Sequence, residues 1–582
     1  LTKRANGAAS SVPLAGFPYH SLEQYIHKLT KAGHRVAICE QVEDPKTVKG
    51  IVKREVVEIV TPGTSISEKY LKRNENNFLL SIFFSNKKNG VSILDISTGE
   101  FLTGEIKKSE LLDIILQYDP KEILVPDSQK EKLEEILNSK NYFITTLQDW
   151  VWEKDIANDE LKDTFKVKSL KGFGIDKMEH SISSSGASLF YLKNKLLKKI
   201  DHISNIKCFN QNDKMMIDSS TIRNLEVFTS IHNQTIDGTL INTLDKTITA
   251  CGSRLLKKRL RQPLIKLNRI NNRLDFVENF IKNESIRNDV VNNLKEVSDI
   301  ERILSKISAL KANPRDLKQL SISLEKLNII KTKFLKTTSI FKKIANKIID
   351  LSNIINAINN TIIDDPPILL SKGRYVKNCF SIELDEFREI SDNGTKWLSE
   401  YQNQQKNITG ISSLKIGFNK VFGYYIDITK AHKDKVPDNY IRKQTLTNSE
   451  RFFTEELKIY EEKILASDEK MIEIENKIFF DLCDLILLNT VDIYTNSKLI
   501  AKIDVSLCAS LVSISNNYVK PKLIKKPLIK LVESRHPVIE QLLPDNEQFV
   551  SNDIIMSQNK KQIAIITGPN MAGKSTFLRQ IA

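Results

Sequence analysis

The residues best suited to chemistry lie near the end of the chain. Gly568, Gly573, Lys574 and Ser575 satisfy the spacing G-x-x-x-x-G-K-[ST], with Pro569, Asn570, Met571 and Ala572 between the glycines and Thr576 after them. Such a loop turns backbone N–H groups inward around a row of phosphates, and glycine is needed where a Cβ would obstruct the approach. Lys574 would reach the β- and γ-phosphates as a point charge, and the Ser575 hydroxyl would ligate Mg²⁺. A helix beginning near Lys574 would aim its N-terminal dipole at the anion. The pattern predicts nucleotide binding. Hydrolysis needs more: a carboxylate for the metal and a group that orients water, usually from a strand well downstream. The sequence runs six residues beyond Thr576, so no catalytic residue is assigned, and this stretch is expected to bind nucleotide without hydrolysing it.

A second cluster is basic. Lys415, Lys420, Lys430, Lys433, Lys435, Arg442, Lys443 and Arg451 fall in one short stretch, opposed by few acids such as Asp427, Asp434 and Asp438. Lysine and arginine on phosphates give sequence-independent, strongly salt-dependent duplex binding. A basic run is equally the composition of a solvated surface. Similar clusters occur at Lys257, Lys258 and Arg259 and at Lys522, Lys525 and Lys526, so the residues alone leave both readings open.

Positioning these groups takes a large scaffold. The chain has 582 residues, about four domains at roughly 150 residues each, which excludes a single small binding module. Its 87 Lys and Arg against 72 Asp and Glu give a net charge of +15, which suits a polyanionic partner or serves solubility alone. With 40 % hydrophobic and 27 % charged residues the composition is globular. No run approaches the roughly 18 apolar residues of a membrane span, so no membrane partner is expected. Cys39, Cys208, Cys251, Cys379, Cys483 and Cys508 lie far apart, without CxxC or zinc-ligand spacing, and read as reduced thiols of a cytoplasmic protein.

Residues 1–62 read as a small α/β piece. Ser21 and Gln24 form a capping box, Leu22, Tyr25, Ile26 and Leu29 share a helical face closed by Gly33, and strands are expected at 35–39 and 55–60 before Thr61, Pro62 and Gly63 break the pattern. A second α/β region follows, with a hairpin turning at Asn89 and Gly90, helices at 109–116 and 131–137, and a strand at 122–125. Residues 218–363 are almost wholly helical in pattern, with Pro314 starting or bending a helix. Strands at 413–418, 423–428 and 440–447 form a small unit inserted into a helical rod. The stretch between Pro437 and Pro521 holds neither Gly nor Pro, enough for a helix of several tens of ångströms. After Pro521 the α/β pattern returns, with strands at 528–532, 548–550 and 562–567, the last a buried parallel strand.

Together these motifs resemble MutS, the family of bacterial DNA mismatch-recognition ATPases, over essentially the whole chain. The run Thr567 to Thr576 is similar to its P-loop, whose Gly-Pro-Asn-Met start is rare among other P-loop proteins. Leu14 to His20, Ala37 to Gln41 and Val60 to Thr64 resemble the end of its mismatch-binding domain. Asp95 to Gly99, Arg223 to Glu226 and Gly252 to Arg254 resemble its connector and core, and Gly417 to Asn419 with Gly423 to Tyr425 its clamp. The resemblance implies a multidomain fold, α/β plus all-α. Its parts would be the end of a mismatch-binding α/β domain over 1–62, an α/β connector over 72–200, core and lever helices over 216–390, a small inserted β clamp over 391–450, returning lever helices over 451–520, and the start of an ABC-type P-loop ATPase domain over 521–582.

It implies ATP and Mg²⁺ as cofactors, with Phe549 against the adenine, and a clamp gripping the DNA backbone with candidates Lys415, Lys420, Lys433, Lys435, Arg442 and Lys443. It also implies a cytoplasmic homodimer that closes on mispaired double-stranded DNA as an ATP-dependent clamp and recruits a downstream, MutL-like repair factor. On this reading the chain is a piece of something longer. Leu1 stands where Met would, the family's Phe-x-Glu motif is expected before it, and the Asp-Glu pair, ABC signature and dimer-forming parts are expected after Ala582. Ala572 stands where many members carry Gly, which is tolerable if φ is negative there. Two rival readings remain: a MutS-like protein without mismatch recognition that acts on recombination intermediates or ribosomes, against which residues 1–62 argue, and a non-catalytic DNA-binding scaffold with a vestigial P-loop.

Overall fold

Runs of β-branched residues set up pairing early in the chain. The computed structural model describes residues 2–5, 11–14, 16–18, 21–43, 52–66, 71–137, 142–209, 213–215, 217–337, 340–419, 423–446, 448–544, 546–569 and 573–582. Within them β1 (Thr2–Ala5) pairs antiparallel with β2 (Ser11–Leu14), a hairpin the sequence reading missed, and β3 (Val36–Gln41) pairs with β4 (Arg54–Val60). The expected helix is present as Leu22–Lys31, but Ser21 makes no side-chain cap bond. Its apolar face is not buried either: Tyr25 and Leu29 stay exposed, with Tyr25 stacked on Phe17 at 4.3 Å. The break at Thr61, Pro62 and Gly63 docks onto the next sheet, where Thr61 Oγ1 and Gly63 N donate to Glu122 Oε2 at 2.5 and 3.2 Å.

That sheet comprises β5 (Leu79–Phe83), β6 (Asn89–Asp95), β7 (Glu100–Ile106), β8 (Glu122–Pro126), β9 (Ile144–Leu147) and β10 (Lys207–Cys208), in the order β10-β7-β6-β5-β8-β9. Its three central hairpin strands β5, β6 and β7 are antiparallel, and β8, β9 and β10 join them in parallel. Both faces are apolar and both are covered. Leu80, Ile82, Val91 and Ile93 meet the helices Leu111–Tyr118 and Lys130–Leu137. Leu79, Leu94, Phe101 and Leu124 meet the helices Lys154–Phe165 and Glu179–Phe190. The second of these is rich in buried serines, several of them bonded to the sheet: Ser188 Oγ lies 2.6 Å from Ser81 Oγ and 2.7 Å from Ser92 Oγ, and Ser185 donates to Thr103 at 2.7 Å.

Asn89 and Gly90 are not the hairpin turn. They open β6, and the connection is the preceding residues 84–88. Asn89 Oδ1 accepts from Ser85 N across that connection, and a Cβ at Gly90 would overlap the His180 carbonyl. Glycine serves the close approach of helix Glu179–Phe190, not a left-handed turn.

The helical stretch follows as expected, and Pro314 opens helix Pro314–Leu335 at its first position, where no intrahelical N–H is needed. The chain divides into two compact units: Leu1–Lys311, Ile322–Leu351 and Asn489–Ala582 form one, and Ala312–Ser321 with Ser352–Leu488 the other. In the first unit helix Thr490–Ser515 packs on helix Ala250–Arg261. Asp504 accepts from Ile248 N at 3.0 Å and from Thr249 N at 2.7 Å, and Gly252 leaves room for its carboxylate. Arg254, buried one half-turn on, forks onto Asp299 and Glu301, each at 2.7 Å.

In the second unit helix Ile382–Thr409 pairs with the 34-residue helix Glu455–Leu488, about 50 Å long. Arg388 and Glu475 form a buried ion pair at 2.6 Å, and Trp397 stacks on Tyr460 at 3.7 Å. The pair carries a four-stranded antiparallel sheet, β11 (Lys415–Asn419), β12 (Gly423–Thr429), β13 (Ile441–Thr445) and β14 (Ser449–Phe453), in the order β11-β12-β14-β13. The sequence reading found three of these strands and missed β14. Residues 391–409 are helix, and the sheet ends at Phe453 rather than at 450.

Near the end, β15 (Leu528–Ser534) and β16 (Asn552–Ser557) pair antiparallel. The expected strands at 548–550 and 562–567 are not formed. Ile563 and Ile565 are 85 % and 86 % exposed. A central parallel strand exists only where neighbours take up its backbone bonds, and no strand flanks this run among the described residues. No helix among the described residues is long and apolar enough to cross a membrane.

Candidate nucleotide loop and nucleic-acid interface

Of the loop residues, Gly568, Pro569, Gly573, Lys574, Ser575 and Thr576 are placed, while Asn570, Met571 and Ala572 lie outside the described residues. The expected helix is present as Lys574–Ile581, capped by Gly573 at φ 78°, ψ 9° with open space where a Cβ would stand. That left-handed backbone is the reason for glycine here. Lys574 Nζ donates to Gly568 O at 2.6 Å, so the ammonium closes the two ends of the loop. Ser575 is exposed on the first turn, whose N–H groups have no intrahelical acceptor. The first turn of this helix thus carries an ammonium, a hydroxyl and amides without an intrahelical acceptor.

Phe549 lies half-buried in irregular chain ahead of β16, and no hydrogen bond or ring contact among the described residues links it to 568–576. A contact not anticipated from sequence sits at the other end of the helix, where Arg579 pairs with Glu226 at 2.5 Å. The Arg223 to Glu226 motif thus holds the loop's helix. His536 lies beside this pair, and burial, then Arg579, lower its pKa. Among the described residues no three His, Cys, Asp or Glu side chains group to hold a metal.

The β11–β14 sheet is built differently, with one face for packing and one for solvent. Ile426 and Ile428 of β12 alternate inward against Tyr401, Leu414 and Leu457. Tyr440 Oη donates to Gln405 Oε1 at 2.6 Å, and burial with the neighbouring Tyr401 pushes its phenol up to about 12. On the other face Tyr425 lies across Gly417, where a Cβ would stand 2.8 Å from the ring. Arg451 stacks on that ring at 4.1 Å and donates to Gln444 Oε1 at 2.8 Å. Lys443, the extra residue of a bulge between Arg442 and Gln444, sits 4.9 Å over Phe453.

Of the expected DNA-binding residues, Lys415 is exposed opposite Asp427, and Lys433 and Lys435 are exposed on the turn Lys430–Lys435. Arg442 is engaged by Glu450 at 3.4 Å, and Lys420 lies outside the described residues. The sequence reading of this face lacked its aromatic half. Tyr425 and Phe453 hold the cations over rings, a role that the outward half of β12's alternation could have signalled.

The chain is assembled from MutS-type domains. Profiles of MutS domain I, MutS domain II and MutS domain III match residues 1–69, 77–206 and 220–510. The DNA mismatch repair protein MutS of Cytophaga hutchinsonii is 44 % identical over 585 residues, covering 100 % of this chain and 68 % of that protein. Those of Flavobacterium johnsoniae and Bacteroides thetaiotaomicron are 41 % and 40 % identical, each across 100 % of this chain and 67 % of the relative. The chain belongs to the MutS family of DNA mismatch repair proteins.

Proposed function

We propose that this chain recognises mispaired double-stranded DNA and starts its repair, gripping the duplex with the open face of the β11–β14 sheet and answering to ATP at the 568–576 loop. The identity to DNA mismatch repair relatives along its whole length carries the reading. The match of residues 1–69 to MutS domain I speaks against a relative lacking mismatch recognition. Deformability is the physical signal: a mispaired step is easier to kink and unstack, so a protein that bends DNA dwells there longest.

Support for a triphosphate at the loop comes from the open space at Gly573 and the ammonium of Lys574. ATP would supply that triphosphate, and Mg²⁺ would help neutralise its charge. Lys574 would exchange the Gly568 carbonyl for phosphate oxygens, and Ser575 would turn its hydroxyl to the metal. A homodimer encircling the duplex, with a MutL-like factor recruited next, completes the proposal, and the clamp, lever and connector names belong to it.

The test uses the full-length protein on a duplex with one G·T mispair and on its fully paired counterpart, between about 50 and 200 mM salt. Preference for the mispair and a steep salt dependence are expected. Equal affinity for both duplexes would overturn the reading. ATP binding is expected to be lost in Lys574→Ala; unchanged binding would leave the loop vestigial.

A further inference from the structure

Packing alone does not set the direction of the short helix behind the loop. Lys574–Ile581 has no buried residue, and its eight residues span about 12 Å. A tilt at one end of so short a rod displaces the Lys574 ammonium and the Ser575 hydroxyl at the other. Charge-assisted bonds to phosphate depend on that placement. The charged contact at the far end is the one between Arg579 Nη1 and Glu226 Oε2, both side chains half-buried and both in the first unit.

Glu226 is held in an unusual way. It follows helix Ser219–Asn224 in left-handed backbone, at φ +49°. Its N–H donates to Arg223 O at 3.0 Å and its carbonyl accepts from Leu240 N at 3.1 Å, so the main chain is fixed on both sides. Leu240 opens helix Leu240–Leu244, whose Ile241 is buried. Glu226 therefore stands on a packed part of the molecule. Glycine or asparagine would take this backbone with less strain, so the turn itself gives no reason for a carboxylate. The side-chain bonds do. Oε1 accepts from Ile231 N at 2.8 Å, which a neutral amide would serve as well, and Oε2 accepts from Arg579. The second bond is the one that a negative charge strengthens.

We infer, on the reading of 568–576 as a nucleotide loop, that Glu226 is a positioning residue for it. Through Arg579 its carboxylate sets the direction of helix Lys574–Ile581, and so where the ammonium and amides of the first turn meet a triphosphate. Glu226 lies in the stretch matched by MutS domain III, so that domain shares in aligning the loop. The effect is mutual: a nucleotide that orders the first turn firms the Arg579–Glu226 pair, and with it the bonds that Ile231 N and Leu240 N make to Glu226.

The experiment takes full-length protein and measures affinity for adenylyl imidodiphosphate, a non-hydrolysable ATP analogue, together with Tm and amide exchange over residues 226–241. Glu226→Gln keeps an acceptor for Ile231 N and removes the charge. Arg579→Gln removes the charge on the other side, at a half-exposed position where folding is least at risk, and Arg579→Lys keeps it. Both Gln variants are expected to bind the analogue about three- to tenfold more weakly, with Tm moved by less than about 2 °C. Arg579→Lys is expected to restore most of the affinity. The analogue is expected to slow exchange over 226–241 in the parent protein and in Arg579→Lys, and in neither Gln variant. Parental affinity in both Gln variants overturns the inference, whether or not Tm falls, and so does slowed exchange that survives in both. Lys574→Ala tells this failure from that of the loop: parental binding in Lys574→Ala sinks the nucleotide reading itself, whereas loss confined to Lys574→Ala sinks the positioning role alone.

Discussion

Two sheets of this chain invite comparison. The β5–β10 sheet is covered on both faces, so even Ser81 and Ser92 are buried and find partners on the helix behind them. The β11–β14 sheet is covered on one face by the long-helix pair, and its other face holds Tyr425, Arg451 and Lys443 half-buried among rings and cations. In the first, packing accounts for the side chains. In the second, packing accounts for Ile426 and Ile428 but gives no reason for a cation held over a ring. Residues that packing leaves unexplained are the ones to assign to a ligand.

The difference can be broken or sharpened by substitution. Leu80→Ala, at a site with no exposure, should cost about 3–5 kcal/mol in the urea midpoint; a loss near zero would mean the covered sheet is not a tight core. The next largest effect concerns His202, whose Nε2 lies 2.7 Å from Ile96 O and which burial pushes down to about 4. The unfolded chain takes up this proton near pH 6.5 and the native state does not. Stability is therefore full above pH 6.5 and falls as pH drops from there to about 4, by roughly 3 kcal/mol. Urea midpoints between pH 8 and 5 should show the slope, and His202→Gln should flatten it.

Ser188→Ala, which removes a hydroxyl shared by Ser81 and Ser92, should cost about 1–2 kcal/mol by the same measurement. On the open sheet, Lys433→Gln should change stability by less than about 0.5 kcal/mol. It should also lower the slope of log affinity against log salt by about 0.9. A stability loss there matching Ser188→Ala would erase the contrast between the sheets.

Much of this was legible from periodicity. Helix Leu22–Lys31, strands β3 and β4, the helical stretch and the rod declared themselves by apolar periodicity, and β5 and β8 by continuous apolar runs. Gly573 and Lys574 declared themselves because a left-handed cap and an adjacent ammonium permit few other residues. What failed has physical causes. Asn89 and Gly90 imitate a turn, but the glycine answers to His180, a contact no local window contains. The Ser-Glu-Arg start of β14 alternates weakly, and only its pairing with β12 and β13 makes it a strand. The run 562–567 is apolar enough for a strand and lacks flanking strands among the described residues.

The short helix after the loop is clasped at one end and uncrowded at the other. Arg579 fastens its last turn to Glu226, 353 positions earlier in the chain, while nothing crowds the Cβ direction of Gly573 at its first. A ligand that draws Lys574 away from Gly568 therefore acts on a helix already tied at its other end to residue 226.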